Sequence, residues 1–171
     1  MAQVKEFELF HGIVLTKLLR TDGAALRLVE TDAKQAWAAY RVNDEAIVYI
    51  KYRLKNRETK RERKWVWSFV FSGDELAKIA ELQTSKPVWV ALVCGLRNID
   101  AGSLKKMQVC LLDAEQFDFC LSSAQGNAPQ TIRVEYKPCT SLRAYGPRNS
   151  EENRKLIVPR NRLDEWRVPG S

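Results

Sequence analysis

A dense run of basic side chains is the part of this sequence best suited to chemistry with an acidic partner. Between Lys51 and Lys64 the chain carries eight Lys and Arg residues against two Glu residues, a net charge of +6 in a chain whose total is +7. Closely spaced cations neutralise successive phosphates of a nucleic acid, and the release of condensed counterions drives association. Arginine adds bidentate contacts to phosphate oxygens, and a neighbouring tyrosine ring could stack on a base. The predicted nucleic-acid-binding residues are Tyr49, Lys51, Arg53, Lys55, Arg57, Lys60, Arg61, Arg63 and Lys64.

Two predicted strands position this basic segment (residues 51–64), which begins within the first strand and ends just before the second. Ala46–Arg53 alternates with a period of two, which places Tyr49, Lys51 and Arg53 on one face. Trp65–Phe71 places four aromatic side chains on a single face. The pattern predicts a basic β-hairpin, although a solvated loop whose charges prevent edge-to-edge aggregation is the alternative. We expect the aromatic face to be core; if it were exposed, the chain would instead be a protein-interaction module.

The remaining pattern predicts a single α+β domain over residues 1–145, with a central mixed β-sheet flanked by helices. Apolar residues at spacings of three and four predict a helix over Val4–Arg20. Ser72 and Glu75 form a capping-box pattern at the start of a second helix, which ends near Gln83. Further predicted elements are strands at Leu26–Thr31, Ala36–Val42, Val88–Cys94, Met107–Leu112, Thr131–Lys137 and Leu142–Tyr145, and a short helix at Asp113–Leu121. The last two strands form a β extension.

An irregular tail is predicted over residues 146–171, because this stretch is polar and contains three prolines. We expect it to wrap the surface or to be partly disordered. Its apolar residues would dock it on the domain, and Trp166 would pin its end; the docking residues are Leu156, Ile157, Val158 and Leu163.

Composition and motif spacing exclude several classes of protein. Four cysteines without any C-x-x-C pair and a single histidine, His11, cannot form a zinc-type motif, so we expect reduced structural cysteines and no metal. No glycine-rich phosphate loop is present, and His11 on the first helix is interpreted as structural. No apolar run is long enough to cross a bilayer and no signal-like segment precedes the domain, which favours a soluble, cytoplasmic protein without a small-molecule cofactor. A pI of about 9.3 is typical of a protein with an acidic partner such as nucleic acid, and a protein partner is also possible.

The order of elements resembles the PD-(D/E)xK nuclease superfamily, and within it the archaeal-type Holliday-junction resolvases are the most similar. The third strand of these resolvases carries an apolar-E-apolar-K-S-R pattern, and Val48–Arg53 (V-Y-I-K-Y-R) is similar in register, with Lys51 at the lysine position. The resemblance covers roughly residues 4–117 and implies a restriction-endonuclease-like topology. It also implies one or two divalent cations, held by an acid on the second strand and an acid two residues before the lysine.

This chain departs from the superfamily at the metal-binding acids. Tyr49 occupies the position two residues before Lys51, and the second strand, Trp37–Val42, contains no acid. A hard cation such as Mg²⁺ requires oxygen ligands, so we favour a degenerate, non-catalytic nuclease-fold subunit of a DNA- or RNA-processing or defence assembly. The alternative is a metal-dependent nuclease with relocated acids, in which Asp44 or Glu45 holds Mg²⁺ and Lys51 orients the attacking water; Mg²⁺ is expected only in that case.

Overall fold

The protein is an α+β fold in which two five-stranded β-sheets pack together with helices. The computed structural model describes residues 6–20, 23–32, 34, 36–54, 56–59, 61–96 and 107–168. The elements in these ranges are α1 Glu6–Leu19, β1 Leu26–Asp32, β2 Trp37–Val42, β3 Ala46–Arg53, β4 Asn56–Thr59, β5 Lys64–Phe71, α2 Gly73–Gln83, β6 Val88–Cys94, β7 Gln108–Leu112, α3 Ala114–Cys120, β8 Gln130–Tyr136, β9 Leu142–Tyr145, β10 Leu156–Val158 and α4 Arg162–Glu165. The predicted α+β class with a mixed sheet is confirmed.

The first sheet has the order β1-β2-β3-β6-β7 and is mixed. Its neighbouring strands are antiparallel except β3 and β6, which run parallel and are connected through β4, β5 and α2. Asn43 and Asp44 connect β2 to β3 with φ angles of 51° and 57°, and two consecutive positive φ angles form the tight turn that matches strand twist. The sheet therefore consists of a three-stranded antiparallel unit, β1-β2-β3, whose strand β3 runs parallel to β6 of the antiparallel pair β6-β7.

The second sheet has the order β10-β9-β8-β5-β4 and is antiparallel throughout. The prediction that the two strands flanking the basic segment form one hairpin is wrong, because β3 belongs to the first sheet and β5 to the second. The hairpin instead joins β4 to β5, with Thr59 opposite Lys64. The aromatic face of β5 is buried because it packs against the apolar face of the first sheet.

The core between the sheets contains the aromatic row of β5. Trp67, Phe69 and Phe71 are almost completely buried, and Trp65 packs against the same core. The indole N–H of Trp67 donates to the carbonyl oxygen of Gly95 at 3.0 Å, which ties β5 to the end of β6. This aromatic face is core, as expected, so it offers no contact surface for a protein partner.

The capping box of α2 is confirmed, and it holds one end of a polar cluster within the same core. The Glu75 backbone N–H donates to the Ser72 hydroxyl at 3.1 Å, and the Ser72 backbone N–H donates to Glu75 Oε2 at 3.1 Å. Both otherwise unpaired N–H groups of the first turn are thereby satisfied. The Glu75 side chain is therefore fixed on the core-facing side of the helix.

The opposite face of the first sheet is covered by α1 and by the end of the chain. Phe10, Val14 and Leu18 of α1 are buried there, as the helical spacing predicts. Residues 146–168 contribute β10 to the second sheet, and Leu163 and Trp166 are buried beside α1. Ile157, expected to dock the tail, is instead 68% exposed because it points away from the core on β10.

Candidate nucleic-acid interface

Two of the nine predicted binding residues lie inside the protein. Tyr49 is completely buried and Lys51 is 6% exposed, and both face the core between the two sheets. The alternation that put them on one face is right, but that face is covered by the second sheet. Neither side chain can contact a nucleic acid, so the prediction of a surface role for Tyr49 and Lys51 is wrong.

Tyr49 and Lys51 form a buried polar cluster with Glu75. The Lys51 ammonium donates to Glu75 Oε1 at 2.6 Å, and the Tyr49 hydroxyl donates to the same oxygen at 2.7 Å. The Lys51 Nζ atom also lies 5.1 Å from the ring centroid of Phe71. Burial lowers the pKa of Lys51 and the adjacent carboxylate opposes that shift, whereas burial and Glu75 together raise the pKa of Tyr49 far above its ordinary value. The cluster is a buried ion pair in which one oxygen of Glu75 accepts hydrogen bonds from both Lys51 and Tyr49.

The turn of the β4–β5 hairpin presents exposed cations. Arg61 and Arg63 are exposed on this turn, Arg63 has a φ of 51°, and the Glu62 backbone N–H donates to the Thr59 carbonyl oxygen at 3.0 Å. Arg53 is exposed at the end of β3. None of the ion pairs found in the described part of the chain involves these three arginines. Their guanidinium groups are available to an external anion.

Many of the other cations are paired within the molecule. Lys17 pairs with Asp164, Lys78 with Glu30 and Arg162 with Asp113. Lys64, a predicted binding residue, lies half-buried with its Nζ atom 3.4 Å from both Glu62 and Glu135. Lys64 therefore anchors the hairpin to β8 more than it extends into solvent.

The side chains of three predicted binding residues lie outside the description. Lys55 and Lys60 lie outside the described residues. The backbone of Arg57 lies in β4 opposite Val66, and its side chain is outside the description.

The geometry brings further cations, which the sequence did not single out, beside the hairpin turn. Trp65 at the start of β5 pairs with Tyr136 at the end of β8, so Lys137 lies at the same end of the second sheet. Arg143 on β9 is exposed there, opposite Glu135 in the neighbouring strand. No sequence pattern could find these residues, because they follow the basic segment by more than 70 positions and only the strand register places them beside it.

The acids of the alternative nuclease site are not brought to the lysine. Asp44 and Glu45 are exposed in the β2–β3 turn, where Asp44 pairs with Arg41 at 3.3 Å. Lys51 lies five strand residues beyond Ala46, which is roughly 16 Å along β3, and its side chain is buried. Within the described ranges, no group of three or more His, Cys, Asp or Glu side chains could hold a metal ion. The proposed constellation of Asp44, Glu45 and Lys51 is therefore wrong as a single site.

Comparison with protein-family models, with curated proteins and with solved structures finds no match in any of the three. Among the described helices the longest, α1, has 14 residues, and none could cross a membrane. A functional assignment therefore depends on the geometry of this chain.

Proposed function

We propose that this protein binds nucleic acid without cleaving it and contacts the phosphate backbone through the β4–β5 turn. The observation that carries the proposal is the exposure of Arg61 and Arg63 on that turn, with Arg53 exposed at the end of β3 and no intramolecular ion pair found for any of them in the described ranges. Guanidinium groups that are not used internally lose little when they bind phosphate, and arginine forms the bidentate contacts that phosphate favours.

The surroundings of Lys51 support the proposal that the protein does not cleave the nucleic acid it binds. A lysine that orients an attacking water must reach the substrate, whereas this one donates to Glu75 at 2.6 Å in a covered core. Apart from the inserted hairpin β4–β5, which belongs to the second sheet, the elements before β7 are a helix, three antiparallel strands, a helix and a parallel strand, and this order is compatible with a relative of nuclease folds. A role as a subunit of a DNA- or RNA-processing or defence assembly would follow from that relationship.

Reversing the charge of the turn tests the binding proposal. We expect the double variant Arg61→Glu/Arg63→Glu to bind a polynucleotide roughly tenfold more weakly or worse, because two attractive phosphate interactions become repulsive. The dependence of log affinity on log salt should also become shallower by about 0.7–0.9 for each phosphate that the protein no longer neutralises. Fluorescence anisotropy with single- and double-stranded DNA and RNA over a salt series measures both quantities.

A second double variant, Arg20→Glu/Arg27→Glu, is the matched control, because both arginines are exposed and lie away from the turn. It changes the net charge by the same amount, so it reports the effect of overall charge alone. Equal reductions of affinity in the two double variants would show that the turn has no special role, and an unchanged affinity in the turn variant would refute the proposal.

A cleavage assay separates binding from the enzymatic alternative. We expect no nicking of plasmid or branched DNA in Mg²⁺ or Mn²⁺, since the acids and Lys51 are apart. The informative variant is Asp44→Asn/Glu45→Gln, because both residues are exposed in a turn and their replacement leaves the core intact. Nicking that disappears in this variant would establish the relocated-acid nuclease in place of our proposal.

A further inference from the structure

A polar cleft lies where two turns of the second sheet meet. The β4–β5 turn and the β8–β9 turn (residues 137–141) are adjacent because β5 and β8 pair through Trp65 and Tyr136. The cleft between them has a volume of about 250 Å³, and its charged lining consists of three cations, Lys64, Lys137 and Arg143, and three carboxylates, Glu62, Glu135 and Glu152. It opens on the side of the sheet that faces away from the core.

A buried carboxylate organises the floor of this cleft. Glu135 is 6% exposed, and its Oε1 atom lies 3.1 Å from the Nζ atom of Lys155 and 3.4 Å from that of Lys64. Burial raises the pKa of Tyr145, and so does the Glu135 carboxylate, to which the Tyr145 hydroxyl donates. Glu135 thus holds two ammonium groups in fixed positions. The cations Lys64, Lys137, Arg143 and Lys155 face the carboxylates Glu62, Glu135 and Glu152 around the cleft, so displacing Glu152 leaves four positive charges against two negative ones.

An exposed carboxylate occupies the cationic side of the cleft. Glu152 accepts hydrogen bonds from Lys155 at 2.6 Å and from Arg143. Lys137, at the other side of the cleft, has no ion pair among the residues that the structure describes. Glu152 begins a single helical turn at the surface (Glu152–Arg154), and its carboxylate is 70% exposed. An external oxyanion of higher charge can therefore displace it at little cost.

We propose that this cleft seats one phosphate group of the bound nucleic acid, with Lys137 and Arg143 as its cationic contacts and Glu152 as the group it displaces. The inference rests on the proposed function, because Arg61 and Arg63 on the adjoining turn would hold the neighbouring phosphates. A phosphate fits better than a carboxylate because it offers oxygens in several directions to two cations that approach from different elements, Lys137 from the β8–β9 turn and Arg143 from β9. The nucleic acid would then cross the end of the second sheet, from one turn to the other.

Removing the competing carboxylate provides a gain-of-affinity test. We expect Glu152→Gln to bind a polynucleotide roughly threefold more tightly, and Lys137→Ala/Arg143→Ala to bind it roughly tenfold more weakly. Glu81→Gln is the matched control, because Glu81 is an exposed carboxylate that pairs with a lysine three residues away, as Glu152 does. Equal affinities of Glu152→Gln and Glu81→Gln, or an unchanged affinity of the cation variant, would overturn the proposal.

Comparing oligonucleotides with and without a 5′-phosphate identifies the source of the phosphate. A reduced affinity of the Lys137→Ala/Arg143→Ala variant that affects both oligonucleotides equally supports an internal phosphodiester. A reduction confined to the 5′-phosphorylated oligonucleotide supports a terminal phosphate in the same cleft.

Cys139 offers a native probe that does not depend on polynucleotide binding. It is exposed on the β8–β9 turn, whereas Cys94, Cys110 and Cys120 are buried, so a small alkylating reagent reports on that turn selectively. Inorganic phosphate should slow alkylation of Cys139 in the native protein, and sodium chloride at equal ionic strength should not. A different combination is that phosphate protects Cys139 from alkylation while the Arg61→Glu/Arg63→Glu variant binds polynucleotide as tightly as its control, Arg20→Glu/Arg27→Glu. That combination would retain the cleft and reject the proposed function. A rate that phosphate leaves unchanged would reject the cleft.

Discussion

Replacing Glu75 by Gln is expected to lower the free energy of unfolding by about 3–5 kcal/mol, the cost of removing one partner from a buried ion pair. Gln keeps the length of the side chain and can still accept from the Ser72 backbone N–H, so the helix cap is preserved. The change removes the charge that Lys51 faces at 2.6 Å in a covered core. Lys51 must then remain charged in the core without the carboxylate it bonds to, or give up its proton, and both outcomes destabilise the folded state.

Urea denaturation of the variant and of a double-mutant cycle measures this destabilisation. Lys51→Met should be destabilised by a comparable amount, because it leaves the Glu75 carboxylate buried without its ammonium partner. The double variant Lys51→Met/Glu75→Gln should recover much of the stability, since no unpaired charge remains. Glu81→Gln removes an exposed charge from the same helix and should change the free energy of unfolding by less than about 0.5 kcal/mol. If Glu75→Gln lowered the free energy of unfolding by less than about 1 kcal/mol, the ion pair between Lys51 and Glu75 would not be what holds α2 against β3.

This result would change how the lysine of the third strand is interpreted. In the resemblance to nucleases Lys51 corresponds to a catalytic group, whereas here it bonds α2 to β3 across the core. A Lys51→Ala variant that lost any activity would therefore report unfolding as readily as chemistry. The exposed residues Asp44, Glu45, Arg61 and Arg63 are better positions for functional tests.

Local signals predicted most of the secondary structure. The period of two in β3 separated Val48 and Ile50, which face α1, from Ile47 and Tyr49, which face the second sheet. The run Val88–Cys94 is covered on both faces, as a continuous apolar strand implies. These features depend on residues close in sequence, and their physical causes act over a few positions.

The pairing of the strands could not be read from the same signals. β3 and β5 are separated by a short basic stretch, which favours a hairpin, yet they lie in different sheets. The short strand β4 decides the outcome, because it supplies the antiparallel neighbour that β5 would otherwise take from β3. A four-residue polar strand carries no periodicity strong enough to be recognised.

The candidate site was predictable only where exposure follows from turn position. Arg61 and Arg63 lie in a turn, and turns face solvent. The burial of Lys51 depends on Glu75, which is 24 residues away, and a lysine in a strand is usually exposed. Lys137 and Arg143 enter the site through strand register, which no property of their own neighbourhood indicates.

The single histidine of the chain should make stability fall steeply below neutral pH. His11 lies in α1, is 1% exposed, and packs its ring 4.1 Å from that of Phe7 and 5.8 Å from that of Tyr52. Burial lowers its pKa from 6.5 to about 4, while the backbone of Ala36 raises it by a smaller amount. Between these two values the unfolded chain binds a proton that the folded protein excludes. The contribution of His11 to the free energy of unfolding is therefore largest above pH 6.5 and should decrease by about 3 kcal/mol by pH 4.

The variant His11→Phe isolates this contribution, because it keeps an aromatic ring against Phe7 and Tyr52 and removes the titrating group. Urea denaturation of both proteins at several pH values from about 7.5 to about 4 should give curves that converge or cross as the pH falls, since only the wild type loses the stability that depends on a neutral histidine. The carboxylates of the chain titrate in the same range in both proteins, so their effects cancel in the difference between the two curves. Parallel curves, or an NMR titration of His11 with a midpoint near its ordinary value, would contradict the prediction, because they would show that the packing of α1 on the first sheet admits a charged histidine.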